Sequence, residues 1–239
     1  MGFLDTPRLA HHKNGMHGED MSDPVTVAED REPRWRRQPE AKRQRLIEAT
    51  IAVLARDGLG EFSLERVAAE AELSAGLVRH HFGGRAGLLC AAYQKIAEHF
   101  LEAIDHALAN GPKDPVERLR AYLDVVQDPF AIGYEPASAW FALWNEARDD
   151  KALHGINRGF QAQYLERIST LVRDLASDWN DVDVAIEARS LIALTDGLWQ
   201  ERMIDPDAQS RELSHEICSR YVVRLLAASK NPAACGLPT

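Results

Sequence analysis

Apolar residues recur every three or four positions along most of the chain, and they nowhere alternate as they would in a half-buried strand. Gly, Pro, Asn or Asp residues interrupt this helical period at intervals. The pattern predicts nine helices, at about residues 40–56, 64–70, 75–82, 85–109, 115–127, 137–148, 152–177, 182–204 and 210–228. We therefore expect an all-α protein.

The domain organisation follows from where this period begins and breaks. Residues 1–33 have no period and carry Gly, Pro and acidic residues, which predicts a disordered leader. Pro39 suits the first turn of the first helix, which we expect to begin near Glu40. A three-helix unit is expected at 34–84, a larger helical body at 85–230 and a tail at 231–239.

The charge of the chain is unevenly distributed. The 28 Lys and Arg residues and 37 Asp and Glu residues give a net charge of −9, which alone argues against a polyanionic partner. Between Arg31 and Arg85, however, 11 basic residues stand against 8 acidic ones. Arg36 and Arg37 lie in the densest part of this basic segment and are expected to form either an arm that reaches nucleic acid or a solvated arm.

Other function classes find little support in the sequence. No apolar run approaches the roughly 18 residues that a membrane span needs, so no membrane partner is expected. The three distant cysteines, Cys90, Cys218 and Cys235, suit neither a disulfide framework nor a CxxC metal site, and they indicate a cytoplasmic protein. Because no HExxH, GxSxG or P-loop motif is present, we expect no enzyme, cofactor or metal.

The second and third helices are typical of a helix-turn-helix, with Glu72-Leu73-Ser74 as the turn. Ser63 and Ser74 stand where these helices would be capped. The residues expected to point outwards are Ala75, Gly76, Arg79 and His80. Small side chains permit close approach to base edges, and Arg79 can offer a bidentate fork to guanine. The residues expected to form the buried core of this three-helix unit are Ile47, Ile51, Leu54, Val67, Ala71, Leu73, Leu77, Val78 and Phe82.

Residues 74–88, SAGLVRHHFGGRAGL, resemble the recognition helix and following turn of the TetR family of bacterial transcriptional regulators. The positions that the resemblance assigns to phosphate contacts are Ser63, His81 and Arg85, and those on the DNA-reading helix are Ser74, Ala75, Gly76, Arg79 and His80. His81 stands where Tyr is common and Arg85 where Lys is common, and both replacements keep a phosphate-binding capability. A packed or turn-capping His81 is the alternative.

A second chemically distinctive cluster lies in the larger body. Trp140 and Trp144 are four residues apart and share one helix face, and Trp199 follows Asp196 by three residues on a later helix. Aromatic rings beside a carboxylate hold quaternary ammonium groups through cation–π attraction and charge. The expected site consists of Tyr134, Trp140, Trp144, Glu146, Asp196 and Trp199. The alternative is that these large residues fill the core or a dimer interface.

Residues 140–144, 153–154 and 194–199 are similar to segments of the choline-responsive, BetI-like subgroup of the TetR family. Together with the helix-turn-helix, this similarity covers about residues 40–228. It implies a repressor that leaves its DNA operator when a small molecule, choline or a related quaternary amine, binds to the body. A regulator of the same family that senses an unrelated apolar or aromatic ligand is the alternative.

We expect a homodimer on double-stranded DNA with a roughly palindromic operator, its half-sites about one helical turn apart. The apolar residues of the eighth and ninth helices that are expected to form the dimer surface are Ile192, Leu194, Leu198, Ile217, Tyr221, Val222, Leu225 and Leu226. Competing functions are an all-helical enzyme with a fortuitous helix-turn-helix, an interaction bundle without specific DNA binding, and an activator.

Overall fold

Nine helices and no strands make up the part of the chain that the computed structural model describes, residues 34–127, 133–205, 207 and 211–230. The helices are α1 (Arg34–Asp57), α2 (Leu64–Glu70), α3 (Ala75–Phe82), α4 (Arg85–Asn110), α5 (Pro115–Val126), α6 (Tyr134–Glu146), α7 (Lys151–Leu175), α8 (Asp181–Ile204) and α9 (Arg211–Lys230). The expected all-α class is confirmed, while the expected leader and tail lie outside the described residues. None of the described helices has the length and apolar character needed to cross a membrane.

Two helices begin earlier than the sequence pattern predicts. Helix α1 already includes Arg34, so Pro39 lies inside the helix and the expected start near Glu40 is wrong. Pro39 is the sixth residue of this helix, so its missing N–H removes one intrahelical hydrogen bond near the start of α1. Helix α6 includes Tyr134 and Pro136, which we expected to lie in a loop. Pro136 is third in this helix, where a backbone N–H has no partner within the helix in any case.

Polar side chains cap several of the other helices. Ser63 Oγ accepts a hydrogen bond from the Arg66 N–H at 3.2 Å, which confirms the expected cap of α2. Asp114, Asp150 and Asn180 cap α5, α7 and α8, each accepting two backbone N–H bonds. Such a cap stabilises a helix by about 1 kcal/mol. Ser74 occupies the N-cap position of α3, but its side chain makes no capping bond, contrary to expectation.

The first three helices share a core centred on α1. The expected core residues of α1 and α2, Ile47, Ile51, Leu54, Val67 and Ala71, are all buried. On α3 only Val78 is buried. Leu73, Leu77 and Phe82 are half-buried rather than buried, and Leu73 and Phe82 pack against the core, so the expectation holds only in part. Helix α3 has eight residues and turns most of its surface to solvent, which leaves room for one fully buried position.

Helix α1 also joins the helix-turn-helix to the larger body. Its contact with α6 is the most extensive between any two of the described helices. Thr50 and Val53 of α1 and Ala139 and Leu143 of α6 are each 0% exposed. Because protein interiors are close-packed, a displacement of α6 must be accommodated by α1.

The apolar stripes of α8 and α9 face the interior of the protomer. Ile192, Leu198, Val222 and Leu225 are at most 9% exposed, and the other four expected dimer residues are partly buried against the same core. These stripes pack on α5 and α7, so the four buried residues belong to the core of the protomer, and a dimer contact by the four partly buried ones stays a prediction. The large hydrophobic side chains that the two helices expose are Val182, Ile186, Ile204, Leu213 and Val223.

Candidate nucleic-acid interface and effector site

Helix α3 presents a polar, solvent-facing surface. Gly76, Arg79 and His80 are exposed, as expected, and so is Ser74 at the start of the helix. Ala75, which we expected to point outwards, is partly buried and packs against the core. The exposed part of the expected DNA-reading surface therefore consists of Ser74, Gly76, Arg79 and His80.

The turn before α3 depends on a residue with left-handed backbone geometry. Glu72 has φ 55°, a conformation that costs a residue with a side chain about 1–2 kcal/mol. Its backbone N–H donates to the Ala69 carbonyl at 3.1 Å, and the Leu73 N–H donates to the Ala68 carbonyl at 2.8 Å. The Glu72 carboxylate is 3.6 Å from the Arg45 guanidinium. These contacts set the direction in which α3 leaves α2.

Ser63 and Arg85 are brought together at the starts of α2 and α4. Arg85 Nη1 donates to the Phe62 carbonyl at 3.0 Å, and its guanidinium lies 4.8 Å from the centre of the Phe62 ring. The Ser63 hydroxyl oxygen accepts the Arg66 N–H, which leaves its own proton free to donate. Arg85 likewise keeps further N–H donors after this one bond. The pair can bind an oxyanion at two adjacent helix starts.

The remaining residues expected to contact DNA occupy different settings. His81 is half-buried, with its ring 5.3 Å from that of His80 and 6.2 Å from that of Phe82. This partial burial fits the packed alternative at least as well as a phosphate contact. Arg36 and Arg37 belong to the first turn of α1, so that part of the arm is helical, and their side chains lie outside the described residues.

The three expected indoles form one contiguous group. The Trp140 and Trp144 rings are 6.2 Å apart, and the Trp144 and Trp199 rings are 5.7 Å apart. Trp140 is 4% exposed and also contacts Phe100 at 5.2 Å and Phe160 at 5.0 Å. Trp140 is thus a core residue, whereas Trp144 and Trp199 are only partly buried.

Asp196 carries a desolvated carboxylate. Burial raises its pKa to about 6, and no described basic side chain offsets that effect. Burial raises the pKa of the Tyr122 and Tyr164 hydroxyls, which lie 2.7 Å from each other in the core, and the charge of Asp196 adds to the rise in each. Sequence reasoning missed these two tyrosines. A Tyr on an otherwise apolar helix face was the available signal, because a buried hydroxyl needs a partner.

A cleft of about 630 Å³ opens between α7 and α8. We call it the α7–α8 cleft; its polar lining consists of Asn157, Arg158, Gln161, Arg189 and Asp196. The Asn157 side-chain oxygen accepts the Tyr93 hydroxyl at 2.7 Å, and the Tyr93 ring lies 6.3 Å from that of Trp140. Asp196 and Asn157 therefore connect the cleft to the aromatic core at two points.

Two members of the expected site remain apart from this arrangement. Glu146 is half-buried at the end of α6, and no described contact joins its carboxylate to the indoles or to Asp196. Tyr134 begins α6, and its side chain lies outside the described residues. Among the residues that the structure describes, no three His, Cys, Asp or Glu side chains are grouped so as to hold a metal ion.

Known proteins match both parts of the chain. Residues 46–92 match the family of bacterial regulatory proteins called tetR, and residues 115–227 match the C-terminal domain of BetI-type transcriptional repressors. A regulator called BetI 1 from Chromohalobacter salexigens is 29% identical over 84% of this chain and 98% of its own length. These relatives are transcriptional regulators and not enzymes.

Solved structures have the same fold. A transcriptional regulator from Pseudomonas aeruginosa PAO1 is 30% identical with a TM-score of 0.72, over 80% of this chain and 94% of its own. A regulator from Saccharomonospora viridis, solved in complex with choline, is 19% identical with a TM-score of 0.68, over 77% of this chain and 96% of its own. The chain thus belongs to the TetR family and is a helix-turn-helix transcriptional repressor with a BetI-type C-terminal domain.

Proposed function

We propose that this repressor acts in the cytoplasm as a homodimer and is released from a palindromic operator by an organic cation, choline or a related quaternary amine. The observation that carries the choice of ligand is the carboxylate of Asp196. It is desolvated, has no cationic partner among the described residues and lines a cleft of about 630 Å³. A cation bound beside it would supply the missing charge.

An aromatic cluster lies close enough to Asp196 for its carboxylate to act on the Tyr164 hydroxyl, although these rings are buried in the core and do not line the α7–α8 cleft. Tyr164 stacks on Phe160 with the ring centres 5.6 Å apart, and Phe160 contacts Trp140. A quaternary ammonium group that reached one of these rings would gain up to about 2 kcal/mol from each desolvated contact. The choline complex of the Saccharomonospora viridis regulator shows that a protein of this fold binds such a ligand.

On DNA, the exposed face of α3 would enter the major groove. Gly76 allows the backbone to approach the bases, and Arg79 supplies the base-reading guanidinium. Ser63 and Arg85, at the starts of α2 and α4, would bind the phosphates on either side. Two-fold symmetry of the dimer would then select a palindromic operator.

The effector signal would pass from α6 to α1. Trp140 and Trp144 lie on α6, and this helix packs closely along α1. A cation that shifts the aromatic group would change the angle at which α1 carries the helix-turn-helix, and so the separation of the two reading helices. The effector would bind more tightly to the conformation that leaves DNA than to the conformation that binds the operator. The ratio of these two affinities sets how far operator affinity falls.

The dimer would use the apolar surface that α8 and α9 expose. Val182 and Ile186 of α8 are 67% and 55% exposed, and Leu213 and Val223 of α9 are 51% and 62% exposed. Their burial between two copies would remove this surface from water. Ile186→Glu should therefore shift the protein to monomer in sedimentation velocity, whereas Leu194→Met, at a partly buried core position, should leave the dimer intact.

The ligand proposal is tested by operator release. Choline and its neutral isostere 3,3-dimethylbutanol are titrated into the protein–operator complex, with fluorescence anisotropy of the DNA as the readout. We expect choline to release the operator at concentrations where the isostere does not. Asp196→Asn should abolish the choline response, while Asp178→Asn, in the exposed loop between α7 and α8, should keep it. Equal responses to cation and isostere would instead favour an apolar or aromatic effector.

A further inference from the structure

The α7–α8 cleft holds opposite charges that are not paired with each other. Arg158 and Arg189 line it together with Asp196. No basic side chain contributes to the pKa of Asp196, so neither guanidinium neutralises this carboxylate. Arg189 and Asp196 are seven residues apart on α8, which places them on one face about 10 Å apart along the helix axis.

The two arginines of the cleft differ from their neighbours on the same helices. Arg167 and Arg173 of α7 form ion pairs at 2.7 Å with Asp105 and Asp181. Within the described residues Arg158 and Arg189 pair with no carboxylate, and both side chains are exposed to the cleft and solvent. Two guanidinium groups with open donors can bind a carboxylate.

The amide groups of the cleft add further donors. Because the Asn157 oxygen accepts the Tyr93 hydroxyl, the Asn157 NH₂ group is left to face other partners. Gln161 lies one turn further along α7 and also lines the cleft. The cleft thus has one strong acceptor at Asp196 and several donors elsewhere, and its volume exceeds that of a small cation.

We propose that the effector is a zwitterion, with its ammonium group beside Asp196 and a carboxylate bound by Arg158 and Arg189. This inference rests on the cation site proposed above and specifies the class of ligand that fills it. A simple cation would satisfy Asp196 and leave both arginines unused. A zwitterion of a few carbon atoms bridges the two charged ends of the cleft.

Three compounds of matched shape test the contributions of the ammonium and carboxylate groups separately. They are 4-(trimethylammonio)butanoate, butyltrimethylammonium, which lacks the carboxylate, and 5,5-dimethylhexanoate, which lacks the cation. Calorimetry on the full chain should give about tenfold tighter binding of the zwitterion than of butyltrimethylammonium. Operator release should follow the same order. The double variant Arg158→Gln/Arg189→Gln should bind the two cationic compounds equally, and Arg173→Gln should retain the preference.

The outcomes distinguish this inference from the function on which it rests. If butyltrimethylammonium binds as tightly as the zwitterion, the zwitterion is ruled out and the cation site stands. If the double variant keeps the preference, Arg158 and Arg189 do not bind the carboxylate, and the proposed site for it is overturned. If neither cationic compound binds or releases the operator, both proposals are overturned. Far-ultraviolet circular dichroism and thermal melting of the double variant check that its two exposed substitutions leave the fold unchanged.

Discussion

The guanidinium of Arg79 on α3 lies 3.9 Å from the carboxylate of Glu65 on α2, and both side chains are about two-thirds exposed. An ion pair this long and this exposed to water contributes little stability. It does, however, place the Arg79 side chain, for which we propose a base-reading role, close to α2 in the absence of DNA. Arg79 can exchange this weak partner for a guanine edge at little cost.

Arg79→Ala should weaken binding to the best operator by about 1–3 kcal/mol and relax the preference at one base position. Glu65→Gln should leave the preference unchanged and raise affinity, because it removes a negative charge beside the DNA. Selection of bound sequences from a random pool, followed by anisotropy titrations, measures both effects. An unchanged sequence preference in Arg79→Ala would rule out base reading by this residue, and Arg120→Ala on α5 serves as a control.

Arg85→Ala should act in a different way, because a phosphate contact carries no sequence information. All operators should lose affinity by a similar factor, and the slope of log affinity against log salt should fall by about one. Arg85 also holds the Phe62 carbonyl, so Arg85→Lys is the matched variant that keeps the charge. Loss of affinity confined to one base position would contradict the phosphate role.

The backbone of Glu72 offers a test of strain in the helix-turn-helix. Its φ of 55° suits Gly, whereas any residue with a Cβ atom retains the strain. Glu72→Gly and Glu72→Ala remove the same charge, so their difference isolates the backbone. We expect the Gly variant to be more stable to urea by about 0.5–1 kcal/mol, after the conformational entropy of Gly is taken into account. Equal stabilities would show that the turn is unstrained.

Much of the fold could be predicted because its signals are local. Apolar period, caps and Gly-Pro breaks placed α2 and α3 at their observed bounds and most other helix ends within two or three residues. The early starts of α1 and α6 were missed because a proline was taken as a boundary. Pro136 lies in the first turn of α6, where a missing N–H costs little, whereas Pro39 lies inside α1 and removes one intrahelical hydrogen bond. The burial of the apolar stripes of α8 and α9 within the protomer was not predicted, because a single sequence does not reveal which of two apolar faces the protomer itself covers.

The candidate effector site was only partly predictable. The spacing of Trp140 and Trp144 and the sequence around Asp196 identified the aromatic group and the carboxylate. The α7–α8 cleft arises from the packing of two long helices, and its Arg158 and Arg189 resemble ordinary surface residues when read along the chain. Tyr122 and Tyr164 are 42 positions apart, so only the fold brings their hydroxyls together.

Truncation of Trp140 and of Trp144 should distinguish a residue that stabilises the core from a residue that takes part in the effector response. Trp140→Ala removes a side chain that is 4% exposed and contacts several rings, so it should lower the free energy of unfolding by about 3–5 kcal/mol. Trp144→Ala, at a partly buried position, should cost less stability and abolish the effector response while operator binding persists. Urea denaturation and operator-release titrations measure the two effects. If Trp144→Ala destabilised the protein as much as Trp140→Ala and kept its effector response, Trp144 would be only a core residue.

Asp196 should make the stability of the effector-free protein depend on pH. Burial raises its pKa from the ordinary 3.8 to about 6, so between these values the folded protein binds a proton that the unfolded chain does not. The contribution of this residue is therefore most favourable below about pH 4 and declines as pH rises through 6. Asp196→Asn should remove this decline and stabilise the free protein at pH 7.5, as measured by urea denaturation across the pH range.

Effector affinity should have the opposite dependence on pH, since only the ionised carboxylate of Asp196 attracts a cation. Affinity for butyltrimethylammonium should be constant above about pH 7 and fall as the solution is acidified through the pKa of about 6, because protons then compete with the ligand. Calorimetry at constant ionic strength measures this dependence, and a quaternary ammonium probe keeps its own charge throughout. Asp196→Asn should bind weakly at every pH. A flat profile in the unmodified protein would remove Asp196 from the cation site, whereas Asp178→Asn should reproduce the unmodified curve.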